Sequence, residues 1–307
     1  MKQRLFFLMI FLFIAFTDLF SQTELSVIKD VHYCDDTLTK HLLDIYLPVQ
    51  QNKPAPCIIW IHGGGWGKGH KAEDGGVIDH LKRLLENGYA LVSINYRLSS
   101  DSIFPACVYD CKTAIRFIKA NSTRFNIDSS RIAVAGPSAG GHLAALVGTS
   151  AGIKDLEKLS MGNSTSSSRV YAVLDLFGPT DFSQMDIGVP LVPPDSCTHP
   201  LAHNHINSPE TKLLGCLITD CPGLVKKANP ITYITSDDPP FLIVHGSFDC
   251  LVSPRNSIIL NQALKNNNVP SEFILLNHAR HGGREFKTIE MQNIYLDFFN
   301  KALYGER

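Results

Sequence analysis

The sequence predicts an α/β fold, with a mostly parallel central sheet and helices on both of its faces. Two observations predict it. Short apolar runs bounded by turn residues alternate with amphipathic helical stretches along most of the chain. The segment from Ile132 to Thr149 also reads as an apolar strand, a glycine-bounded turn and a helix in immediate succession. Residues 25–33 and 42–47 read as an opening antiparallel pair. The later strands are Cys57–Ile61, Ala90–Ile94, Ile132–Ala135, Ala172–Leu176, Phe241–Val244 and Phe273–Leu276.

The helices fall between these strands. Residues 77–87 place Ile78, Leu81, Leu84 and Leu85 on one face and stop at Asn87-Gly88. A second helix from Pro105 to Ala120 turns Cys107, Cys111, Ile115 and Ile118 inward. A third runs from Ser138 to about Thr149, and a last one over 287–303. One stretch breaks the rhythm: between Phe177 and Phe241 lie roughly 60 residues rich in Pro, Ser, Asn and His, the mark of a functional lid or pocket wall. Its polarity argues against a greasy lid.

At the N-terminus, Lys2 and Arg4 precede an unbroken apolar run from Leu5 to Phe16, followed by small and polar residues around Ser21. The run fits a secretory leader and falls short of the roughly 18–20 apolar residues that span a bilayer. Residues 1–21 are therefore expected to be a cleaved signal peptide, with 22–307 as a single catalytic domain in a secreted or periplasmic protein without a stable membrane anchor. A net charge of −1 offers no field to attract nucleic acid. Export permits disulfides, and eight cysteines allow 105 complete pairings. Cys216 and Cys221 flank a segment short enough to close as a small loop. Cys107 and Cys111, one helical turn apart, read as neighbours on a buried helix face. No C-x-x-C pair supports zinc, and Cys197, His199, His203 and His205 match no metal-ligand spacing.

The chemistry is carried by three segments. Gly136-Pro137-Ser138-Ala139-Gly140 satisfies G-x-S-x-G between a strand and a helix, where a nucleophilic serine sits on a sharp turn. Neighbours without a Cβ let the chain reverse there, and the helix N-terminus favours developing negative charge. His62-Gly63-Gly64-Gly65-Trp66 follows an earlier strand, and side-chain-free residues let backbone N–H groups approach an oxyanion closely. Gly64 and Gly65 are the expected donors, with the N–H of Ala139 completing the hole. The absence of a following Lys-Ser/Thr removes the phosphate-loop reading. Trp66, beside this loop, either offers a flat face to a sugar or feruloyl ring or packs into the core.

A serine hydroxyl needs a base, and the base needs an acid to fix its tautomer. The chain order of such sites is Ser, then Asp or Glu, then His, each following a strand. Asp249 follows Phe241–Val244, and His281 follows Phe273–Leu276. Asp237 and Asp238 precede their strand and read as turn residues. His278 is the rival base, and His142, one turn beyond Ser138, reads as packing or capping. No metal or organic cofactor is required.

On these residues the chain resembles the esterase/lipase branch of the α/β-hydrolases that contains bifunctional feruloyl and acetyl xylan esterases. The similar segments are Leu43–Pro48, His62–Trp66, Asn95–Leu98, Phe104–Ala106, Asp110–Lys112, Asp128–Arg131, Ser138–Ala145, Ser208–Glu210 and Asp249. The resemblance implies an α/β-hydrolase fold and hydrolysis of short-chain, acetyl or feruloyl esters, on small molecules or polysaccharide. It also implies that Asp44, Arg97 and Asp110 serve the scaffold's electrostatics. Two departures stand out: a bulkier approach to the last histidine, His278-Ala279-Arg280, and a longer segment from Gln184 to Asn207. The competing functions are a peptidase or formamidase using the same triad, and an inert scaffold that binds carbohydrate or protein.

Overall fold

The computed structural model describes residues 25–49, 51–73, 76–186 and 202–305. The expected leader at 1–21 lies outside them. The opening pair is β1 (Ser26–His32) and β2 (Leu42–Leu47), which run antiparallel. The buried runs form β3 (Ala55–Ile61), β4 (Ala90–Ile94), β5 (Ile127–Pro137), β6 (Val173–Leu176), β7 (Phe241–Gly246) and β8 (Ser271–Leu276). They join one sheet in the order β1-β2-β4-β3-β5-β6-β7-β8. β2 meets β4 antiparallel, and every later pair is parallel.

Alternation along the central strands sorts side chains to the two faces. On β3, Cys57, Ile59 and Ile61 enter one apolar cluster, and Ile58 and Trp60 enter the other. The first cluster is closed by α2 (Ala106–Ala120), α3 (Ala139–Thr149) and α6 (Arg255–Asn266), the second by α1 (Val77–Glu86) and α7 (Ile289–Tyr304). Ile115 and Leu143 face Val134 of β5 on one side, and Leu84 and Phe299 share the other side with Leu91 and Ala133. Each fully buried aliphatic or Phe side chain contributes about 1.5–3 kcal/mol, so the two apolar faces of the sheet hold the layers together.

The structure moves some expected boundaries. β5 begins at Ile127 because Ala55 pairs with Ile127 before an irregularity brings Cys57 opposite Ile132. α6 was not singled out from the sequence, since it buries Asn256 and Ser257 alongside Leu260 and Leu264 and so carries a weak apolar stripe. The long connection from Phe177 to Phe241 contains α4 (Pro209–Leu214) and α5 (Pro222–Ala228). Between these two helices Cys216 and Cys221 are disulfide-bonded, while Cys107 and Cys111 are free and buried on α2. Among the described residues no helix is long and apolar enough to cross a membrane.

The charged residues shared with the resembling family are ion-paired, with Asp44 and Asp110 buried and Arg97 half-buried. Asp44 accepts a 2.6 Å bond from Lys71, and Asp110 receives Arg97 at 2.6 Å. These pairs tie the antiparallel edge and α2 to the parallel sheet.

Candidate active site

β5 ends at Pro137 and α3 starts at Ala139, so Ser138 alone carries the reversal, at φ 55° and ψ −122°. A non-glycine residue in such a region costs on the order of 1–3 kcal/mol. Two features hold it there. The Ser138 N–H donates to the Leu176 carbonyl at 2.8 Å. The elbow also presses against the end of β3: a Cβ on Gly136 would sit 2.5 Å from the Ile61 carbonyl oxygen, and one on Gly140 would overlap that same oxygen. The glycines of G-x-S-x-G are thus required by contact with the strand that feeds the glycine loop.

The structure brings Ser138, His281 and Asp249 together. His281 Nε2 lies 2.9 Å from Ser138 Oγ, and its Nδ1 lies 2.7 Å from Asp249 Oδ2. Because a carboxylate only accepts, Nδ1 carries the ring proton and Nε2 is left to accept from the serine. Asp249 is fully buried, and its Oδ1 receives the N–H groups of Leu251 and Val252, each at 2.9 Å. Burial by itself would raise its pKa; hydrogen bonds from His245 and His281 outweigh burial and hold the carboxyl well below the usual carboxylate range.

The loops carrying acid and base are laced together. Ser247 N–H donates to Leu276 O and Phe248 N–H to Ala279 O, both at 2.9 Å. His278, the rival base, is left outside: it is exposed and its ring lies edge-on to Phe248 at 4.7 Å. Asp238 accepts the Thr235 N–H at 3.0 Å in the turn before β7. Two neighbours of the site were not foreseen. His245, at the end of β7, contacts Asp249 from within the core, and the Phe177 ring lies edge-on to His281 at 4.8 Å. A polar residue four positions before the acid, in His-Gly-x-x-Asp, was the available signal.

Facing Ser138 is the glycine loop. Gly64 has φ 102°, and its carbonyl turns away to accept the N–H groups of Gly67 at 3.2 Å and Lys68 at 3.1 Å. Among the described residues the N–H groups of Gly64, Gly65 and Ala139 have no hydrogen-bond partner. They are unbonded donors on the loop beside Ser138 and at the start of α3.

Trp66 does not face the cleft. It is 1 % exposed, donates its indole N–H to His142 Nδ1 at 3.2 Å and packs against Phe182. Of the two readings of Trp66 the structure shows core packing, and the pocket role named for it is corrected: a left-handed backbone at Trp66, φ 53°, accompanies a ring buried beneath the loop. His142 also packs, donating Nε2–H to Ala228 O at 2.8 Å, and burial pushes its pKa down to about 4.

The cleft above Ser138 has a volume of about 590 Å³. Phe177 and Leu251 give it apolar walls, and Lys68, Asn207 and Lys212 a polar lip. A separate cavity of about 680 Å³ lies between the start of α2, α5 and residues 153–158, and includes none of the residues above.

For a metal, Cys34, Asp36 and His41 are the one suitable group among the described residues. His41 has no nitrogen to spare, being 2.6 Å from Asp36 and 3.2 Å from Asp110. Burial disfavours its charge, but hydrogen bonds to Asp110, Cys34 and Asp36 prevail and raise its pKa to about 10. Of the histidine-rich loop, Cys197 and His199 lie outside the described residues, and His205 Nδ1 accepts the Asn207 N–H in a local turn at 3.2 Å.

Known proteins are similar to this chain in sequence and in fold. Esterase LipC of Mycobacterium tuberculosis is 35% identical over 226 residues, covering 73% of this chain and 51% of LipC, so the chain spans about half the length of that relative. A truncated carbohydrate esterase from gut microbiota superposes with a TM-score of 0.81 at 34% identity, covering 92% of this chain and 98% of that one. An acetyl ester-xyloside bifunctional hydrolase from Caldicellulosiruptor lactoaceticus gives a TM-score of 0.66 at 27% identity, over 85% of this chain and 88% of that one. The BD-FAE family profile matches residues 43–264, more than half of the sequence, and the chain belongs to this esterase family of the α/β-hydrolase fold.

Proposed function

We propose that the protein is a serine carboxylic ester hydrolase working through an acyl-enzyme on Ser138. The observation that carries this reading is the position of His281, within hydrogen-bond reach of both Ser138 at 2.9 Å and Asp249 at 2.7 Å. As Ser138 Oγ attacks the ester carbonyl carbon, its proton passes to His281 Nε2. The carbonyl oxygen becomes an oxyanion facing the N–H groups of Gly64, Gly65 and Ala139. Collapse of the tetrahedral intermediate breaks the bond to the alcohol, which leaves with the proton from His281. Water then enters, gives a proton to the same nitrogen and attacks the acyl carbon. Ser138 recovers its proton and the carboxylic acid departs. The Asp249 carboxylate stays ionised throughout and stabilises the imidazolium formed in each half-reaction.

The substrate we propose is a short acyl or feruloyl ester of plant polysaccharide, met outside the cytoplasm after export. The polar lip formed by Lys68, Asn207 and Lys212 supports a hydroxyl-rich alcohol, and two structural relatives are a carbohydrate esterase and an acetyl ester-xyloside bifunctional hydrolase. An apolar slot for a long chain gains about 0.8 kcal/mol per buried methylene, so a lipase improves steadily as the acyl chain lengthens. The test is a panel of acetyl, butyryl, dodecanoyl and feruloyl esters together with decorated xylan. Acetyl or butyryl turnover above dodecanoyl, with acetate or ferulate released from xylan, is the expected result. Preference for dodecanoyl without release from xylan overturns the substrate assignment, and failure of a fluorophosphonate to label Ser138 overturns the mechanism.

A further inference from the structure

An imidazole at the end of an apolar strand is expensive to bury unless both nitrogens are bonded. His245 is fully buried on β7, and both are. Its Nε2 lies 2.9 Å from the Val252 carbonyl and 3.1 Å from Asp249 Oδ2, and its Nδ1 lies 2.7 Å from Ser257 Oγ on α6. The partners of Nε2 only accept, so Nε2 carries a proton. In the neutral ring Nδ1 then accepts the Ser257 hydroxyl proton. The acceptors at Nε2 thus set the tautomer, and Ser257 satisfies the remaining nitrogen and anchors the ring to α6.

We propose that His245, fixed by Ser257, is a positioning residue for ester hydrolysis, holding the Asp249 carboxylate so that Oδ2 stays aimed at His281. The inference rests on the Ser138–His281–Asp249 reading. Among the described residues Asp249 receives four donors, two on each oxygen: Leu251 and Val252 on Oδ1, His281 and His245 on Oδ2. The two N–H bonds to Oδ1 come from the acid's own loop and move with it. His245 is the donor on Oδ2 that comes from the sheet, and it grips Val252 O as well, so it ties the loop's shape to the strand. Losing it leaves Oδ2 bonded to His281 alone and free to swing. Among the described residues the other carboxyl near His245 is Asp175 of β6, fully buried and pushed up to about 6 by that burial.

The consequence for protonation has a definite sign. With one donor fewer, a buried carboxylate gains proton affinity. The Asp249–His281 pair then takes up its inactivating proton at higher pH, and the acidic limb of kcat/KM moves up.

The experiment compares His245→Leu, His245→Gln and Ser257→Ala in the full chain, with Ser138→Ala as a control. It measures kcat and KM for p-nitrophenyl acetate between about pH 5 and pH 9, with near-UV circular dichroism as the check on folding. In His245→Leu, kcat is expected to fall about 10- to 100-fold with KM within about twofold, and the acidic limb to move to higher pH. His245→Gln, whose amide can still donate, is expected to regain about half or more of that loss on a logarithmic scale, and Ser257→Ala to lose about 2- to 5-fold with a limb shift of the same sign. A kcat within about twofold of wild type in His245→Leu overturns the proposal. So does an equal loss in Leu and Gln with an unmoved limb, the signature of packing alone. Should His245→Leu fail to fold, an unmoved limb in both His245→Gln and Ser257→Ala overturns it. Turnover that survives Ser138→Ala overturns the nucleophile assignment instead, a result separable from all of these.

Discussion

The floor of the cleft and its lip are built on opposite terms. On the floor, Ser138, His281 and Asp249 are joined by bonds of 2.7 and 2.9 Å, the acid is fully buried, and the loops holding acid and base are bonded to each other. On the lip, Lys68, Asn207 and Lys212 are exposed, and among the described residues neither lysine has an ion-pair partner. Groups that must meet within a few tenths of an ångström are enforced by the sheet; groups that greet a polymer in solution are left to the solvent. Changes on the floor should therefore act on kcat, and changes on the lip on KM.

The largest effect belongs to the floor. Ser138→Ala and His281→Ala are each expected to lower kcat by on the order of 10⁴-fold or more, because triad members act as a unit. His278→Ala should change it less than about threefold, since a ring outside the site has no proton to move. Stopped activity in His278→Ala with retained activity in His281→Ala would reverse the assignment of the base.

Gly64→Val probes the border between the two regions. At φ 102° a Cβ would overlap the Lys68 carbonyl oxygen, so the loop must shift and carry its N–H groups away. The expected loss is about 10²–10³-fold in kcat, with KM less affected. A raised KM at constant kcat would move Gly64 from the floor to the lip.

On the lip itself, Lys68→Ala and Lys212→Ala are expected to raise KM for acetylated xylo-oligosaccharides about 2- to 5-fold and to leave kcat within about twofold. Their KM for p-nitrophenyl acetate, which has no sugar to greet the lip, should stay put. Equal changes for both esters would place these lysines nearer the reacting carbonyl.

The last effect is on stability and leaves turnover at neutral pH aside. His62 and His142, beneath the glycine loop, are both pushed down to about 4 by burial. Their unfolded forms take up protons near pH 6.5 while the folded forms do not, so stability falls as pH drops from about 6.5 to about 4 and levels off below that. Each contributes up to about 1.4 kcal/mol per pH unit within this window. Asp249 acts elsewhere: its depressed pKa stabilises the fold above the ordinary carboxylate value, and that contribution is lost only under stronger acid. Urea unfolding of His142→Gln at pH 7, 6 and 5 should give a flatter dependence than wild type; an unchanged slope would remove His142 from the account.

Much of this was legible in the residues, for a local reason. Period-two and fully apolar runs specify strands, and glycines around Ser138 specify an elbow that only side-chain-free neighbours can close against Ile61. The Ser, Asp, His order then selects Asp249 and His281 by the strands they follow, because a parallel sheet delivers all its strand ends to one edge. What pattern cannot carry is the direction a side chain takes once the backbone leaves a regular element. Trp66 adjoins the glycine loop in sequence, yet its left-handed backbone turns the indole into the core onto His142 and Phe182. His245 sits in an apolar strand, with only its spacing from Asp249 to hint at a contact, and Ser257 sits in a weakly patterned helix where nothing local marks it as the partner of His245. The sequence by itself determined the layers of the fold, the elbow, the glycine loop and the order of nucleophile, acid and base, since each is a property of a few adjacent residues. The closing of Cys216 on Cys221, the burial of Trp66 and the hydrogen bonds that converge on Asp249 were decided only in the tertiary structure, where packing of the whole chain brings these atoms into reach and excludes the water that would otherwise bond them.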